Sequence, residues 1–344
     1  MSRFNPRNLA VLLAPFGLFL LAGCASNGEP DTQTPTEPSQ PAASPARRSA
    51  SSGLPRISLE AGAHQTLGDA FRYLGETYGG GAALIGGLED DPAPAAGLGT
   101  VDFVRGFERL ADQYASKIQV TPHYVFLYPE GFEVLETITL EDKVDARFNK
   151  TRASFAIGAG TDLYNAFALL SKSLQITIVA DNLIGETWCG EIFLEDAPVS
   201  AIVEAILKTA RLVPGAFEVE STSEYLFIRS TANQSQAPTC TNRQALTASQ
   251  EAFLANPISL QLPDTGSALE FRSVATPLKQ VLPALSSRLG VPVTATDEVA
   301  SLPVNMSVFQ NVSVETALDL LVRQWLLPRY GYRIDEAGLQ FCER

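Results

Sequence analysis

The side chains able to do chemistry are few and scattered. His64 and His123 are the two histidines of the 344-residue sequence, and neither sits in a motif with a nucleophile and an orienting acid. A catalytic imidazole needs both within hydrogen-bond reach, so the pair reads as solvated or structural and no enzyme is expected. Gly79, Gly80 and Gly81 suggest a phosphate loop by composition alone. They follow an apolar helical pattern, whereas a phosphate cradle leads into a helix, so they read as a helix stop. Glu89, Asp90 and Asp91 form an acidic run before Pro92 without the further carboxylates of a calcium loop. The cysteines Cys24, Cys189, Cys240 and Cys342 match no metal-site spacing, and no metal or cofactor is expected. Trp325 extends an apolar helical face and reads as core; Trp188 reads equally as an exposed contact or as a lid over a core.

Cys24 stands apart because of what precedes it. Arg3 and Arg7 make a positive start, and Leu9 to Leu21 form an apolar run too short to span a membrane comfortably. Leu21, Ala22 and Gly23 then lead into the cysteine, and this "LAGC" resembles the lipobox of bacterial lipoproteins. The resemblance implies that 1–23 is a signal peptide and that the Cys24 sulfur receives a diacylglycerol. Ala25 and Ser26 stand where an inner-membrane retention signal would show Asp, so the resemblance implies the periplasmic face of a Gram-negative outer membrane. Residues 24–55 carry Pro30, Pro35, Pro38, Pro41, Pro45 and Pro55 among Ser, Thr and Ala. They read as a disordered tether that would reach on the order of 90 Å if fully extended.

Removing the signal peptide takes Arg3 and Arg7 from 25 basic residues and none of the 38 acidic ones, so the net charge moves from −13 to −15. That balance excludes a large nucleic-acid-binding patch and disfavours anionic lipid head groups, leaving the acyl chains as the membrane attachment. An oxidising envelope makes one disulfide plausible among the three remaining cysteines. Cys189 with Cys240 is the expected pair, because it would pin a long linker.

The scattered residues sit on a repeated framework. Leu163, Ala166, Phe167, Leu170 and Leu174 lie at helical spacing, and Leu278, Val281, Leu282, Leu285 and Leu289 repeat them 115 positions on. Ile202, Val203, Ile206, Leu207 and Leu212 keep the same offset to Ala317, Leu318, Leu321, Val322 and Leu327, which makes the repeat a duplicated unit. Leu67, Ala70, Phe71 and Leu74 begin a looser copy 96 positions earlier. Thr161 and Thr276 stand where N-caps belong, with Pro277 at the first helical position. "ASFAIGAG" and "ALEFRSVA" read as the opening strands of the second and third copies, and Pro283 predicts a kink or restart within a helix. The order β-α-β-β-α-β-β predicts an α+β fold of three tandem modules over 56–130, 152–230 and 266–344, with a linker at 231–263.

With "PVSAIVEAILKTARL" and "NVSVETALDLLVRQWLL" as second helices, this order resembles the short N-terminal domain shared by secretins and TonB-dependent transducers. The first copy lacks the Ala-Leu pair in its second helix. The resemblance implies a periplasmic module that docks other proteins. Arg344 follows the third copy directly, where secretins continue into a pore domain and transducers into a plug and barrel, so neither a channel nor a receptor is expected. The expected function is a non-enzymatic platform for secretin, pilus or TonB-dependent system components, with β-strand addition as its binding mode. Two other readings stay open: a self-associating structural envelope protein, or a receptor for a small ligand or glycan in a cleft between modules.

Overall fold

The computed structural model describes residues 55–263 and 275–344. Cys24, the residues Leu21, Ala22 and Gly23, the signal peptide and the tether up to residue 54 lie outside the described residues. The first repeat opens with β1 (Arg56–Ile57) and α1 (Leu67–Tyr78), in which Leu67, Ala70, Phe71 and Leu74 are buried, as their spacing predicts. Thr66 caps this helix by accepting the Asp69 N–H at 3.1 Å, and Gly79, with φ of 67°, ends it. β2 (Ala82–Leu84), β3 (Val101–Asp102), α2 (Phe103–Gln113), β4 (Ser116–Val120) and β5 (Val125–Pro129) follow. After α3 (Ala146–Lys150) the second repeat comprises β6 (Arg152–Ile157), α4 (Leu163–Leu174), β7 (Thr177–Ala180), β8 (Ile192–Pro198), α5 (Val199–Thr209), β9 (Phe217–Ser221) and β10 (Tyr225–Ser230).

α6 (Ala248–Ala255), closed by a capping box between Thr247 and Gln250, leads into the third repeat. Its elements are β11 (Pro257–Leu262), β12 (Thr276–Pro277), α7 (Leu278–Leu289), β13 (Val293–Ala295), α8 (Asp297–Ala300), β14 (Pro303–Val304), β15 (Ser307–Ser313), α9 (Val314–Arg323), β16 (Tyr330–Asp335) and β17 (Gly338–Glu343). The chain is α+β, and the three segments share one pairing scheme. The short strand after each first helix runs parallel to the segment's last strand, which pairs antiparallel with its predecessor: β2-β5-β4, β7-β10-β9 and β13-β17-β16. The strand that feeds each second helix pairs antiparallel with the opening strand, as β1-β3, β6-β8 and β11-β15. The duplication extends to an irregularity. β6-β8 and β11-β15 shift register at the same place, and the bulge puts Asp196 and Asn311 at φ of 44° and 50°. Asp and Asn are the residues that tolerate this left-handed conformation best after Gly.

Several expectations are corrected. The opening strand of the third repeat is Pro257–Leu262, from the stretch read as the 231–263 linker; the expected strand at 268–275 lies almost wholly outside the described residues. "PISLQL" alternates as well as "ALEFRS" does, and its residues sit 105 positions after their counterparts in β6, so an insertion of about ten residues interrupts the copy there. The N-cap of α4 is Asp162, whose carboxylate accepts the Asn165 N–H at 2.8 Å, and Pro277 is the N-cap of α7. α7 continues through Pro283, which lies on its exposed face, where water can reach the Lys279 carbonyl that loses its N–H partner.

The disulfide between Cys189 and Cys240 is not formed: Cys189, Cys240 and Cys342 are buried free thiols, and the expected partners belong to different hydrophobic clusters. The linker is pinned by backbone instead. Cys240 lies alongside Tyr332, with the Thr241 N–H donating to the Tyr332 carbonyl at 2.7 Å and the Tyr332 N–H to the Thr239 carbonyl at 3.1 Å.

Candidate functional site

The residues singled out for chemistry are not brought together. His64 precedes α1 and packs on Tyr73, with ring centroids 4.9 Å apart, in an open recess beside Asp69, Arg72 and Glu76. His123 sits in the turn before β5, where burial pulls its pKa below the ordinary value. Neither imidazole hydrogen-bonds a Ser, Thr or Cys side chain among the described residues. The acidic run is tied into the backbone: Glu89 accepts the Gly87 N–H through its side chain, and the Asp91 carbonyl accepts the Leu67 N–H at 2.8 Å. Among the described residues no three His, Cys, Asp or Glu side chains are grouped to hold a metal. Burial pushes the Cys189 thiol far above its usual range, which makes it inert as a nucleophile.

What the repeats build is a strand-accepting groove between the first helix and the short strand that follows it. In the first repeat it is filled by β8 of the second. Ala82 pairs with Phe193 and Ala83 with Ile192, so β4-β5-β2-β8-β6 form one sheet across the two repeats. The Leu84 N–H donates to the Glu191 carbonyl at 2.8 Å and the Gly86 N–H to the Thr209 carbonyl at 3.0 Å. Gly75 makes the approach feasible, because a Cβ there would lie 2.8 Å from the Phe193 ring. Arg72 on α1 pairs with Glu191.

Under that groove, α5 covers the outer face of the first sheet. Lys208 is fully buried: its ammonium reaches Glu204 and Gln119, each at 2.8 Å, and lies 5.5 Å from the Tyr124 ring centre. Tyr124 donates its hydroxyl to Glu204 at 2.7 Å. Burial pulls the lysine's pKa below its usual value while Glu204 opposes the shift. Burial and the Glu204 charge together push the Tyr124 phenol well up.

The groove of the second repeat holds β15 in nearly the same register, by other means. Ser171 on α4 accepts the Ile178 N–H at 3.0 Å, and the Thr177 hydroxyl, rather than a backbone carbonyl, accepts the Gln310 N–H at 2.7 Å. The Asn182 N–H donates to the Gln324 carbonyl at 3.1 Å, which repeats the Gly86 to Thr209 bond at the homologous position. Arg323 stands where Lys208 stands. It lies 4.8 Å from the Phe227 ring centre and forms an ion pair with Glu220. The two cores interlock: Met306 and Val308 pack into the second repeat's cluster, Val179 and Phe227 into the third's.

The third groove, between α7 and β13, holds no strand among the described residues. Ser286 accepts the Val293 N–H at 2.9 Å, as Ser171 accepts that of Ile178. Thr294, at the place of the buried Ala83 and Val179, is exposed, and Gln340 replaces Phe126 and Phe227 on the neighbouring strand. The sequence carries this signal. Aligning the closing strands sets Phe126, Phe227 and Gln340 side by side, and the 115-residue offset sets Ser171 beside Ser286.

Trp188 resolves to the exposed alternative. It is 68% exposed on the loop between β7 and β8, where Leu183 is 51% exposed. The homologous bridge positions of the other repeats are Pro92 and Pro303. Trp325 is core, its indole N–H donating to the Pro303 carbonyl at 2.8 Å. Among the described residues no helix is long and apolar enough to cross a membrane. Comparison with protein-family models, with curated proteins and with solved structures found no match to this chain.

Proposed function

We propose that this chain is a non-enzymatic outer-membrane lipoprotein. Anchored through Cys24, its three modules, akin to the secretin and TonB short N-terminal domain, serve as a periplasmic docking platform for a secretion, pilus or TonB-linked uptake machine. The observation that carries the reading is Trp188, a large aromatic side chain 68% exposed on the loop between β7 and β8. Its backbone is held in a bridge with Asp162, and the neighbouring Cys189 N–H donates to the Thr161 carbonyl at 2.8 Å. An exposed Trp on a fixed backbone is the kind of side chain that anchors protein interfaces. Strand addition suits the same framework, since two grooves of this chain already take a strand each. The net charge of −15 left once the signal peptide is removed favours a neutral or basic partner.

The test is photo-crosslinking in intact cells from an amino acid installed at position 188, followed by mass spectrometry of the products. Products containing a secretin, a pilus component or a TonB-dependent receptor, absent when the probe is placed at the buried Phe71, support the platform. Products containing only this chain, at good yield, overturn it.

A further inference from the structure

The two filled junctions follow one electrostatic rule, and the two ends that meet no further repeat among the described residues reverse it. The tenth residue of the second helix is Lys208 in α5 and Arg323 in α9, and each cation crosses to the preceding repeat. Lys208 meets Gln119, which sits opposite Phe126 in the β4-β5 pair; Arg323 meets Glu220, which sits opposite Phe227 in β9-β10. At the free sheet of the third repeat the residue in that place, opposite Gln340 in β16-β17, is Arg333, and it is exposed. At the free helix of the first repeat the tenth residue of α2 is Asp112, also exposed. A cation has replaced the acceptor on one end, and an acid has replaced the cation on the other.

The strand that fills each internal groove has no counterpart at the first repeat's end, where β3 is two residues long and Ala96 and Gly97, at the places of Ile192 and Phe193, precede it, so the helix face is what that end offers. Gln324, whose carbonyl accepts from Asn182, also bonds through its side chain to Ser307 at 3.0 Å. Gln113, in the same place on α2, bonds through its side chain to the backbone of Ala96, the counterpart of Ser307, at 3.1 Å. Each glutamine thus ties the end of its helix to the segment that leads into it, to a side chain in one case and to backbone in the other. On the accepting side, Asp297 holds the position of Gly86 and Asn182, two residues past the edge strand, and its N–H makes no junction bond among the described residues.

From these observations we propose that copies of this chain associate head to tail. The α2 face of one copy docks on the β13-β17-β16 face of the next, which holds no strand among the described residues, with Asp112 of one copy opposite Arg333 of the other. The contact is heterologous, so each added copy leaves the same two ends free. The reversed charges also fix the order of stacking. A face bearing Lys208 or Arg323 would meet Arg333 as a like charge, which penalises the wrong pairing. Thr294 and Gln340 supply no aromatic platform, so the association is weaker than the internal junctions and salt-sensitive. The surface is distinct from Trp188, and the inference does not rest on the platform reading.

The experiment uses the full-length lipoprotein in its own membrane. Asp112→Cys and Arg333→Cys versions are co-expressed and treated with a short thiol-reactive crosslinker, after labelling with a soluble maleimide confirms that each new thiol is accessible on the folded chain. Crosslinked dimers from the mixed pair, absent with either version alone, and a ladder of higher species from the double variant are expected. In cysteine-free-surface chains probed by an amine crosslinker, Asp112→Arg or Arg333→Glu alone lowers dimer yield several-fold, and combining them restores it. Accessible thiols that give no mixed dimer overturn the proposal, and so does crosslinking of Asp112→Cys to itself, which would mean a symmetric contact.

Discussion

The junction between the first and second repeats and the junction between the second and third place a strand in the same groove at nearly the same register, yet they are held differently. The first is a backbone ladder: Gly75 clears the way for Phe193, and β2 pairs directly with β8. The second is mediated by side chains. Ser171 intercepts the Ile178 N–H before β15 can use it, and Thr177 supplies the hydroxyl that reaches Gln310 instead. Their electrostatic cores differ as well. Lys208 is buried and needs Glu204 beside it on its own helix, whereas Arg323 spans the junction to a half-buried Glu220. A docking geometry can thus outlast the chemistry that specifies it, provided each backbone donor still finds an acceptor.

The most damaging single change should fall on the first junction. Glu204→Ala leaves the Lys208 ammonium, which is 0% exposed, with Gln119 as its remaining polar partner. Stripping one member from a buried pair costs about 3–5 kcal/mol, because the other charge stays desolvated. Urea unfolding should show a loss of that order, with Glu204→Ala/Lys208→Met recovering much of it. Removing the buried partner of the second pair, Arg323→Met, should cost less, about 1–2 kcal/mol, since the Glu220 left behind can turn to water. Equal losses at both sites would contradict the contrast drawn between the two cores.

Exchanging the groove residues tests the ladder itself. Gly75→Ser imports the second junction's residue into the first, where its Cβ meets Phe193 at 2.8 Å, and should cost about 1–3 kcal/mol from overpacking. Ser171→Gly removes an acceptor and a helix-favouring side chain without a clash, so about 1 kcal/mol is expected. Hydrogen exchange locates the damage: the Leu84 amide should lose protection in the first variant and the Ile178 amide in the second. Loss of protection spread evenly over both junctions would mean that the grooves are not independent.

How much of this the sequence discloses depends on whether a feature is periodic. The buried faces of α1, α4, α5, α7 and α9 follow from residues at helical spacing, and the 115-residue offset carries the likeness through both helices, except that Leu327, read as the counterpart of Leu212, lies beyond α9 and is exposed. The opening strand of the third repeat does not follow, because an insertion breaks the offset between two equally alternating segments. Cys189 and Cys240 look like a pair when linker length is the only guide; the linker is in fact held by the bridge at Tyr332, a contact between residues 92 positions apart. Pro283 looks like a helix breaker until its exposure on α7 is known. The grooves are legible only in comparison, through what stands at Gly75, Ser171 and Ser286, since one copy alone gives no reason to single out a glycine or a serine on a helix.

The smallest effect expected is also the one that separates the junctions by sign. Burial pushes the Glu191 carboxyl above its ordinary range, with Arg72 only partly opposing it. Burial also pushes Glu220 upward, but its hydrogen bonds from Arg323 and Tyr225 outweigh that and hold it below the ordinary range. A carboxyl whose folded pKa is raised contributes stability that is fully present below the unfolded pKa of about 4.3 and is lost as pH rises through the folded value. A carboxyl whose folded pKa is depressed contributes stability that is present above about 4.3 and is lost as pH falls through the folded value. Acidification from neutral pH should therefore firm the first junction before it loosens the second. Once amide exchange rates are corrected for their intrinsic pH dependence, protection at Leu84 should rise on approach to pH 4, while protection at Gln310 should fall below it. Parallel changes at both amides would show that the two carboxylates do not set the pH response of their junctions, and that the contrast between them lies in the hydrogen-bond ladders alone.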